Sequence, residues 1–433
     1  MINIIPQKIY YNNGIAVYNS KKLCYNYYLL LFIIPKGFEF IMDYKFSSGI
    51  ASLKPSIIRE ILKSSGNTIP LAAGNPAPDA FPVDDIKKIV NDVLENQPIL
   101  ALQYGISEGY APLVETLSAL AKERYGAYGE NDKLIVTSGA QQVMSLACHC
   151  LINHGDCIIC EEPAFIGALN CFRSHGARLV GVPLEKDGMN LEILEEKLKT
   201  EENVKFIYTI PNFQNPAGST MSFEKRKAVY ELAKKYGVLI LEDNPYGDLR
   251  VSGKDVPAIK SLDTDGLVIY SGSFSKVVAP GVRVGFVAAN EALIAKFTVA
   301  KQTQDVHTPL ISQLIVYKWL TEFDFEAHIN KIRDIYRRKL NLLCDCLDKE
   351  VGDFFDYSRP EGGLFVWAKL PEGVDMLEFV KKASAAGVSV VPGNAFLCNG
   401  DDPCDYVRLN FSTPSDEDIV RGVKILGEVA KTY

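Results

Sequence analysis

The sequence predicts an α/β fold in which a large domain, built on a mostly parallel seven-stranded sheet, is joined to a smaller α+β domain. The first observation is that short apolar segments alternate with amphipathic helical segments from residue 53 onward, the pattern of parallel strands connected by helices. The second is that the pattern changes after the last of these apolar segments, where a long helical segment over 310–348 and two strand-like segments follow. The third is the length of 433 residues, which accommodates two or three ordinary domains or one large catalytic unit.

The individual elements are predicted from apolar periodicity and turn residues. Seven buried strands are expected at Leu134–Thr137, Cys157–Cys160, Arg178–Val182, Phe206–Thr209, Val238–Glu242, Leu267–Ser271 and Val284–Ala288. Helices are expected at 84–95, 110–124 and 140–152, and over 310–348 with a break near Phe323. An earlier helix is predicted to start near Pro55, and 71–82 is predicted to be a loop. In the C-terminal region, GGLFVWAKL and YVRLNFS are predicted strands with a helix between them.

Composition and charge exclude some functions. The hydrophobic fraction is 47% and the charged fraction is 23%, which is ordinary for a globular protein. The net charge of −7 argues against a nucleic-acid partner, which usually requires a basic surface. The ten cysteines are scattered, mostly in apolar segments, which favours reduced thiols and a cytoplasmic location. Cys157 and Cys160 lie three apart on a predicted strand and therefore on opposite faces, so we expect core packing there and no metal site.

Residues 1–41 differ from the rest of the chain in being rich in Ile, Tyr, Asn and Lys. The apolar stretch from Tyr27 to Ile34 is too short to span a bilayer, and no small-residue cleavage site follows it, as a signal peptide would require. The regular amphipathic pattern begins just after Met42. We therefore expect residues 1–41 to be an atypical extension outside the fold, with Met42 as the natural start and no membrane as a partner.

A lysine follows the predicted strand at Leu267–Ser271, in the segment SFSK that ends at Lys276. A lysine at the end of a strand is free to face a cavity, and the nearby serines together with Arg283 provide an anion site beside its amine. This combination suits an aldehyde that carries a phosphate, since the amine forms a Schiff base while the hydroxyls and guanidinium hold the phosphate. The alternative is a surface lysine in a polar loop, and this segment alone does not separate the two.

Three further segments indicate the same chemistry, although each also has an ordinary structural interpretation. Ser138 and Gly139 turn a strand into a helix, whose first unpaired N–H groups attract an anion. Asp243 ends an apolar strand, where its carboxylate either pairs with a protonated pyridine nitrogen or caps a turn. Asn215 precedes Pro216 after another strand, where its amide either binds a ring hydroxyl or forms a common Asx-Pro turn.

These motifs carry a resemblance to a known family. The segments GSFSK and PGVRVG, with PNFQNPAG and LEDNPYGD upstream, resemble the fold-type I pyridoxal-phosphate (PLP) aminotransferases of class I/II. A narrower resemblance is to the branch that contains 2-aminoadipate and kynurenine aminotransferases and the aminotransferase-like half of MocR-type regulators. That narrower resemblance rests on LQYGISEGYAPL, TSGAQQ, EEPAF, KQTQDVHTP, RPEGGLFVW and YVRLNFS. The similarity runs from about Met42 to the C-terminus, and its motifs are ordered and correctly spaced.

The resemblance implies roles for individual residues in binding PLP. Lys276 matches the lysine that forms the Schiff base, and Asp243 matches the partner of the pyridine nitrogen. Asn215 and Tyr246 match the pair that binds the ring hydroxyl, and Lys276, Asp243 and Tyr246 are expected to be catalytic. Phe165 stands where a tyrosine usually stacks on the ring, so the aromatic face is kept and the hydroxyl is lost. The phosphate site is implied to comprise Gly139, Ala140, Gln141, Ser273, Ser275 and Arg283.

The same resemblance implies contacts with the substrate and with a second subunit. Arg408 matches the arginine that binds the substrate α-carboxylate, with Asn215 and Gly74 as further substrate-binding residues. Arg59 is a candidate for binding a side-chain carboxylate, which would favour glutamate or 2-aminoadipate, although a solvated helix arginine is an equally good interpretation. Tyr104 matches a tyrosine that reaches the phosphate of the neighbouring subunit, so the resemblance implies a homodimer with shared active sites.

The implied organisation has three parts after the extension. Residues 42–80 are expected to pack with the small domain and cover the site, residues 81–322 to form the large PLP-binding domain, and residues 323–433 to form the small domain. The implied function, in amino acid metabolism, is transfer of an amino group from an L-amino acid to a 2-oxo acid. The expected acceptor is 2-oxoglutarate, and the expected course is a ping-pong Schiff-base mechanism.

Two alternatives to an aminotransferase remain open. A fold does not fix the reaction type, so another PLP-dependent reaction, such as that of a β-lyase or a decarboxylase, is possible on the same scaffold. A non-catalytic PLP-binding regulator of the MocR type would need a DNA-binding helix-turn-helix ahead of the catalytic half. Residues 1–41 are too few for that motif and show no such helix pair. The preferred amino donor is not determined by the sequence.

Overall fold

The structure of the protein is a computed structural model that describes residues 8–11, 14–17, 44–51, 53 and 68–433. The helix predicted to start near Pro55, including Arg59, lies outside the described residues.

The chain divides into two compact units, residues 1–47 and residues 48–433. The first unit contains an antiparallel pair of strands, β1 (Lys8–Tyr11) and β2 (Gly14–Val17). The second unit contains two sheets and their helices.

The large sheet contains all seven predicted strands and one more. Its strands are β3 (Asp132–Thr137), β4 (Cys157–Glu162), β5 (Arg178–Glu185), β6 (Gly188–Met189), β7 (Val204–Thr209), β8 (Leu239–Asn244), β9 (Val268–Ser273) and β10 (Gly285–Asn290). Their spatial order is β3-β10-β9-β8-β7-β4-β5-β6. Strands β9, β8, β7, β4 and β5 run parallel, whereas β10 is antiparallel to both of its neighbours. The predicted seven strands are corrected to eight, because the two-residue β6 is too short to leave a periodic signal.

The helices match the predicted ones closely. They are α1 (Ser48–Ala51), α2 (Val83–Asn96), α3 (Pro98–Leu102), α4 (Ala111–Glu123), α5 (Ala140–Leu151), α6 (Ile166–Ser174), α7 (Leu191–Thr200), α8 (Phe223–Tyr236), α9 (Glu291–Gln304), α10 (Leu310–Glu322), α11 (Phe325–Glu350), α12 (Met376–Ala385) and α13 (Asp416–Ala430). The predicted break near Phe323 is confirmed, since α10 ends and α11 begins on either side of it. Asp324 starts the second helix by accepting a hydrogen bond from the N–H of Ala327 at 2.9 Å.

A small antiparallel sheet lies in the C-terminal part of the unit. Its strands are β11 (Asp356–Tyr357), β12 (Phe365–Lys369), β13 (Val391–Pro392) and β14 (Tyr406–Asn410), in the order β11-β12-β14-β13. The two strands predicted in this region are therefore confirmed as β12 and β14, with α12 between them. Arg408, in β14, pairs with Trp367 of β12 and with Val391 of β13. Paired residues share a face of the sheet, so the three side chains point to the same side.

The large sheet separates two apolar cores. One core contains Ile158 and Cys160, and the other contains Cys157 and Ile159. Successive residues of β4 therefore enter opposite cores, as the period of two along a strand requires. The predicted packing of Cys157 and Cys160 on opposite faces is confirmed.

The cysteines that the structure describes are free thiols. Within the described ranges, no helix is long and apolar enough to cross a membrane, and no cluster of three or more His, Cys, Asp or Glu side chains is arranged to hold a metal ion.

Candidate active site

Strand direction brings several polar segments to one edge of the large sheet. Strands β7, β8 and β9 are parallel, and β3 points the same way because both β3 and β9 run antiparallel to β10. The segments that follow the carboxyl ends of these strands therefore meet at one edge. In open α/β sheets this edge is where ligands bind.

Lys276 follows β9 at this edge and is partly buried. Its Nζ atom donates a hydrogen bond to the carbonyl oxygen of Gly74 at 2.7 Å. Burial, reinforced by the positive charges of Arg408 and Arg283, lowers the pKa of the Lys276 amine to about 8. The uncharged amine, which is the form that attacks a carbonyl carbon, is therefore more populated near neutral pH than it is in an ordinary lysine.

Asp243, near the end of β8, is buried and accepts hydrogen bonds from two hydroxyl groups. Ser271 Oγ donates to its Oδ1 atom at 3.1 Å, and Tyr208 Oη donates to its Oδ2 atom at 3.2 Å. Burial raises the pKa of this carboxyl to about 7, although both hydroxyls lower it in part. An aspartate in this position is ready to share a proton with a basic nitrogen.

Neither Tyr208 nor Ser271 is marked as a site residue by a motif in the sequence. Ser271 lies directly opposite Asp243 in the pairing of β8 with β9. Tyr208 is a fully buried aromatic residue with a hydroxyl group, near the carboxyl end of β7. Each residue therefore has a recognisable feature in the structure. That feature points to contact with Asp243 only when the order and the register of the strands are known.

Arg408 links the small sheet to this edge of the large sheet. Its Nη1 atom donates to Oδ1 of Asn215 at 2.9 Å, and its Nη2 atom donates to the carbonyl oxygen of Ala72 at 2.9 Å and to that of Ala73 at 3.4 Å. Asn215 in turn donates from Nδ2 to the hydroxyl of Tyr246 at 3.4 Å. These contacts place Arg408, Asn215 and Tyr246 in one connected group.

The guanidinium of Arg408 is held between aromatic rings. Only 2% of the residue is exposed, and its Cζ atom lies 4.1 Å from the ring centre of Phe365 and 5.0 Å from that of Phe396. Burial lowers the pKa of the guanidinium to about 10, so it stays charged at neutral pH. Its Nε atom is buried and has no hydrogen-bond partner among the described residues. A buried donor of this kind favours an anionic ligand.

The turn from Ser138 to Gly139 leads into α5 and is held closely by Arg283. Nη2 of Arg283 donates to the carbonyl oxygen of Ser138 at 2.9 Å. A side chain at Gly139 would bring its Cβ within 2.6 Å of that same nitrogen, and the φ of this glycine is +81°. Glycine is therefore required for the arginine to approach the turn. The first N–H groups of α5 have no acceptor within the helix, so the turn can bind an anion.

The other residues expected at the phosphate lie around this turn. Ser273 Oγ accepts a hydrogen bond from the N–H of Ser275 at 3.2 Å, just before Lys276. Gln141 donates from Nε2 to the carbonyl oxygen of Gly167 at 2.9 Å, and Ala140 is the first residue of α5.

The remaining candidates fall into three cases. Phe165 is partly buried, and its side chain and that of Gln141 both lie beside Gly167. A Cβ atom at Gly167 would come within 3.0 Å of each of them. Tyr104 is 81% exposed and packs edge-on against His307, with ring centres 5.9 Å apart. Arg59 lies outside the described residues.

The fold and this site define an α/β enzyme that presents a reactive amine, an anion-binding turn, a buried carboxyl and a buried guanidinium at one sheet edge. The comparisons with known proteins agree: the family model for aminotransferase class I and II matches residues 66–426. The chain belongs to the class I and II aminotransferases.

Individual relatives narrow the resemblance. Aromatic-amino-acid aminotransferase 1 of Thermococcus litoralis is 42% identical over 398 residues, which cover 90% of this chain and 95% of that protein. The crystal structure of Pyrococcus horikoshii kynurenine aminotransferase superposes with a TM-score of 0.86 at 37% identity, covering 89% of this chain and 97% of that one. The α-aminoadipate aminotransferase of Thermus thermophilus, complexed with N-(5'-phosphopyridoxyl)-L-leucine, superposes with a TM-score of 0.83 at 34% identity, with the same two coverages.

The chain is accordingly a PLP-dependent transaminase that transfers amino groups between amino acids and oxo acids. The comparisons do not favour a different reaction or a purely regulatory role. The residues present fit the cofactor, because the site combines an amine with a lowered pKa, a glycine turn that a Cβ would block, and a buried acid without a basic partner among its hydrogen bonds.

Proposed function

We propose that this enzyme transfers the amino group of an L-amino acid to 2-oxoglutarate through Lys276. The observation that carries the proposal is the position of Lys276, whose pKa is lowered by burial and by the charges of both Arg408 and Arg283. Arg283 contacts the anion-binding turn, and Arg408 contacts the buried group around Asn215. The amine of Lys276 would therefore have the phosphate site of Arg283 and the carboxylate site of Arg408 nearby. This arrangement suits a phosphate-bearing cofactor and a carboxylate-bearing substrate that both react at Nζ.

The proposed cofactor contacts follow from the positions of the side chains. Asp243 would pair with the ring nitrogen, and Asn215 with Tyr246 would bind the ring hydroxyl. Burial raises the pKa of the Tyr246 phenol, so its hydroxyl remains a hydrogen-bond donor at neutral pH. Phe165 would cover one face of the ring. The phosphate would lie against Gly139, Ala140, Gln141, Ser273, Ser275 and Arg283.

PLP, when bound, supplies an aldehyde for covalent attachment and a ring that withdraws electrons from the substrate. The protein residues provide the rest. Nζ of Lys276 takes the proton from the substrate Cα as a general base and later returns it as a general acid. Asp243 keeps the ring nitrogen protonated, since its own elevated pKa lets it share that proton.

Arg408 would bind the α-carboxylate of the substrate. A guanidinium forms two parallel hydrogen bonds to a carboxylate, which fixes the orientation of the Cα–H bond relative to Lys276. The rings of Phe365 and Phe396 exclude water from one side of this contact and strengthen it. Gly74 lies beside both Lys276 and Phe365. Its carbonyl oxygen accepts a hydrogen bond from Lys276, and a Cβ atom at Gly74 would lie 3.5 Å from the Phe365 ring.

The amino donor is proposed from the relatives, whose names include aromatic amino acids, kynurenine and α-aminoadipate as substrates. We infer a donor with a long aromatic or acidic side chain. A panel of such donors with 2-oxoglutarate, read out as formation of the oxo acid, would rank them. Arg59 remains a candidate for binding a side-chain carboxylate.

We further propose a cytoplasmic homodimer with shared sites. Exposed apolar side chains surround Tyr104 along the chain, at Ile99, Leu102 and Ile106, and Val306 beside His307 is also exposed. Exposed apolar groups concentrated in this way are typical of a subunit interface. The free cysteines support the cytoplasmic location.

Attachment of PLP at Lys276 tests the proposed function. The purified enzyme should be yellow, sodium borohydride should bleach that absorbance, and peptide mapping should find the reduced adduct at Lys276. The Lys276→Ala variant should lose the adduct. Lys260→Met is a matched control, because Lys260 is also buried but its Nζ pairs with Asp132 at 2.8 Å. An adduct at any other lysine would refute the assignment.

A further inference from the structure

Lys301, on α9, is a buried charged residue that the reaction described above does not use. Its side chain has 0% exposure. Its Nζ atom donates to Oε1 of Gln142 at 3.0 Å, to both carboxylate oxygens of Asp305 at 2.8 and 2.9 Å, and to Oγ1 of Thr308 at 3.1 Å. A buried ammonium is tolerated only when it is paired and hydrogen-bonded, and this one is fully surrounded by acceptors.

All three side chains that accept from Lys301 also contact Ser138, the residue before Gly139, and one of them is Thr308, whose Oγ1 atom lies 3.2 Å from Oγ of Ser138. The hydroxyl of Ser138 donates to Oδ2 of Asp305 at 2.6 Å, and its N–H donates to Oε1 of Gln142 at 2.8 Å. Its carbonyl oxygen accepts from Nη2 of Arg283 at 2.9 Å. All three polar groups of Ser138 are therefore fixed, and two of them are fixed through side chains that Lys301 holds.

Asp305 is itself fixed by an unusual turn at the end of α9. The N–H groups of Asp305 and Val306 both donate to the carbonyl oxygen of Lys301, at 3.1 and 3.2 Å. Val306 has a φ of +63°, a conformation that β-branched residues avoid. Such a conformation persists only where the surrounding contacts impose it. Here the strained turn returns Asp305 towards Lys301 and Ser138.

We propose that Lys301 and Asp305 are positioning residues for the phosphate of PLP, acting through the turn at Ser138 and Gly139. Asp305 contacts the turn directly through Ser138, and Lys301 acts on it through Asp305 and Gln142. The turn presents the first N–H groups of α5 to the phosphate. Lys301 also neutralises the Asp305 carboxylate, which would otherwise place a negative charge beside an anion site. This inference rests on the proposed function, because it requires PLP phosphate at that turn.

The test compares Lys301→Met with Lys260→Met in full-length holoenzyme. Lys260 is a matched control, since its side chain is 2% exposed and its Nζ pairs with Asp132 and Asp263 at 2.8 Å each. Asp132 begins β3, at the opposite end of that strand from Ser138. Equilibrium dialysis against graded PLP gives the dissociation constant, with inorganic phosphate as competitor. Dialysis against pyridoxal, which lacks the phosphate, reports attachment at Lys276 alone.

We expect Lys301→Met to weaken PLP binding by about tenfold or more, the scale of a few lost charge-assisted hydrogen bonds. Inorganic phosphate should compete less well, pyridoxal binding should be unchanged, and Lys260→Met should bind PLP within about twofold of wild type.

If Lys301→Met does not fold, the double variant Lys301→Met/Asp305→Asn removes both charges and should show the same loss. Equal PLP binding by wild type and Lys301→Met, or equal losses for Lys301→Met and Lys260→Met, would overturn the inference. A wild-type enzyme that binds no PLP at Lys276 would instead refute the proposed function.

Discussion

Arg408 donates a hydrogen bond from Nη1 to Oδ1 of Asn215 over 2.9 Å, and this contact joins β14 of the small sheet to the loop after β7 of the large sheet. The other end of the same amide donates to Tyr246. The side chain proposed to bind the substrate carboxylate therefore contacts directly one of the two side chains proposed to bind the ring hydroxyl of the cofactor.

The first prediction is that Arg408→Lys keeps the cofactor and loses substrate orientation. Lysine retains the charge but not the two-pronged geometry, so kcat/KM should fall by about 100-fold or more while borohydride-sensitive PLP is retained. Steady-state rates with the best donor, at matched PLP occupancy, measure the effect. Arg359→Lys is the control, because Arg359 is an exposed arginine paired with Asp345. A change at Arg408 below about threefold would remove it from the site.

The second prediction concerns the pH dependence of stability after PLP has been removed. The folded-state pKa of Asp243 is raised to about 7, above its value in the unfolded chain. The folded form therefore holds a proton that the unfolded form has released, so stability falls as pH rises between the two pKa values. We expect the free energy of unfolding in urea to decrease by about 2 kcal/mol between pH 5 and pH 7 on this account.

Asp243→Asn provides the comparison for that measurement. The asparagine cannot ionise, so the free energy of unfolding of the variant should lack the decrease between pH 5 and pH 7 that is due to Asp243. All other titrating groups contribute equally in both proteins. Parallel pH profiles for the two proteins would show that Asp243 does not titrate in this range.

The third prediction is complementation between inactive subunits. Tyr104 is 81% exposed within one chain, and we place it at the phosphate of a second subunit. A mixture of Lys276→Ala and Tyr104→Phe proteins should regain activity, because a hybrid dimer contains one site with both native residues. Random exchange would restore about a quarter of the wild-type activity per subunit. Absence of recovery, once exchange has been demonstrated by mass spectrometry, would argue against shared sites.

The fourth prediction is that residues 1–41 are dispensable. Residues 1–47 form a compact unit separate from residues 48–433, as defined by contacts within the chain. A protein that starts at Met42 should fold, bind PLP and turn over at the rate of the full chain, within about twofold. Circular dichroism, PLP content and steady-state rates compare the two. An insoluble or inactive shortened protein would show that the extension contributes to the fold.

Much of the fold was accessible from the sequence because its signals are local. Buried parallel strands appear as short apolar runs, and the break at Phe323 separates two helices that Asp324 delimits by capping. The two-residue β6 and the five-residue α3 were missed, because segments of that length are too short for a helical or strand pattern to repeat recognisably. Their existence depends on neighbouring elements that a local pattern does not contain.

The candidate site was accessible only in part for a related reason. Lys276, Asp243 and Arg408 lie beside motifs that identify them one at a time. The hydroxyls that contact Asp243 come from other strands, at Tyr208 and Ser271, and only the register of the sheet brings them together. Register is a property of paired strands, so no single segment encodes it.

The tripeptide from Ala72 to Gly74 contacts both the proposed Schiff-base lysine, Lys276, and the proposed carboxylate-binding arginine, Arg408. Its carbonyl oxygens accept hydrogen bonds from Arg408 at Ala72 and Ala73, and from Lys276 at Gly74. Because three consecutive peptide groups move together, a shift that loosens one contact alters the other. Efforts to change substrate preference through this segment should therefore meet epistasis: substitutions near Arg408 and substitutions near Lys276 will combine non-additively, and beneficial pairs will be found by varying both together.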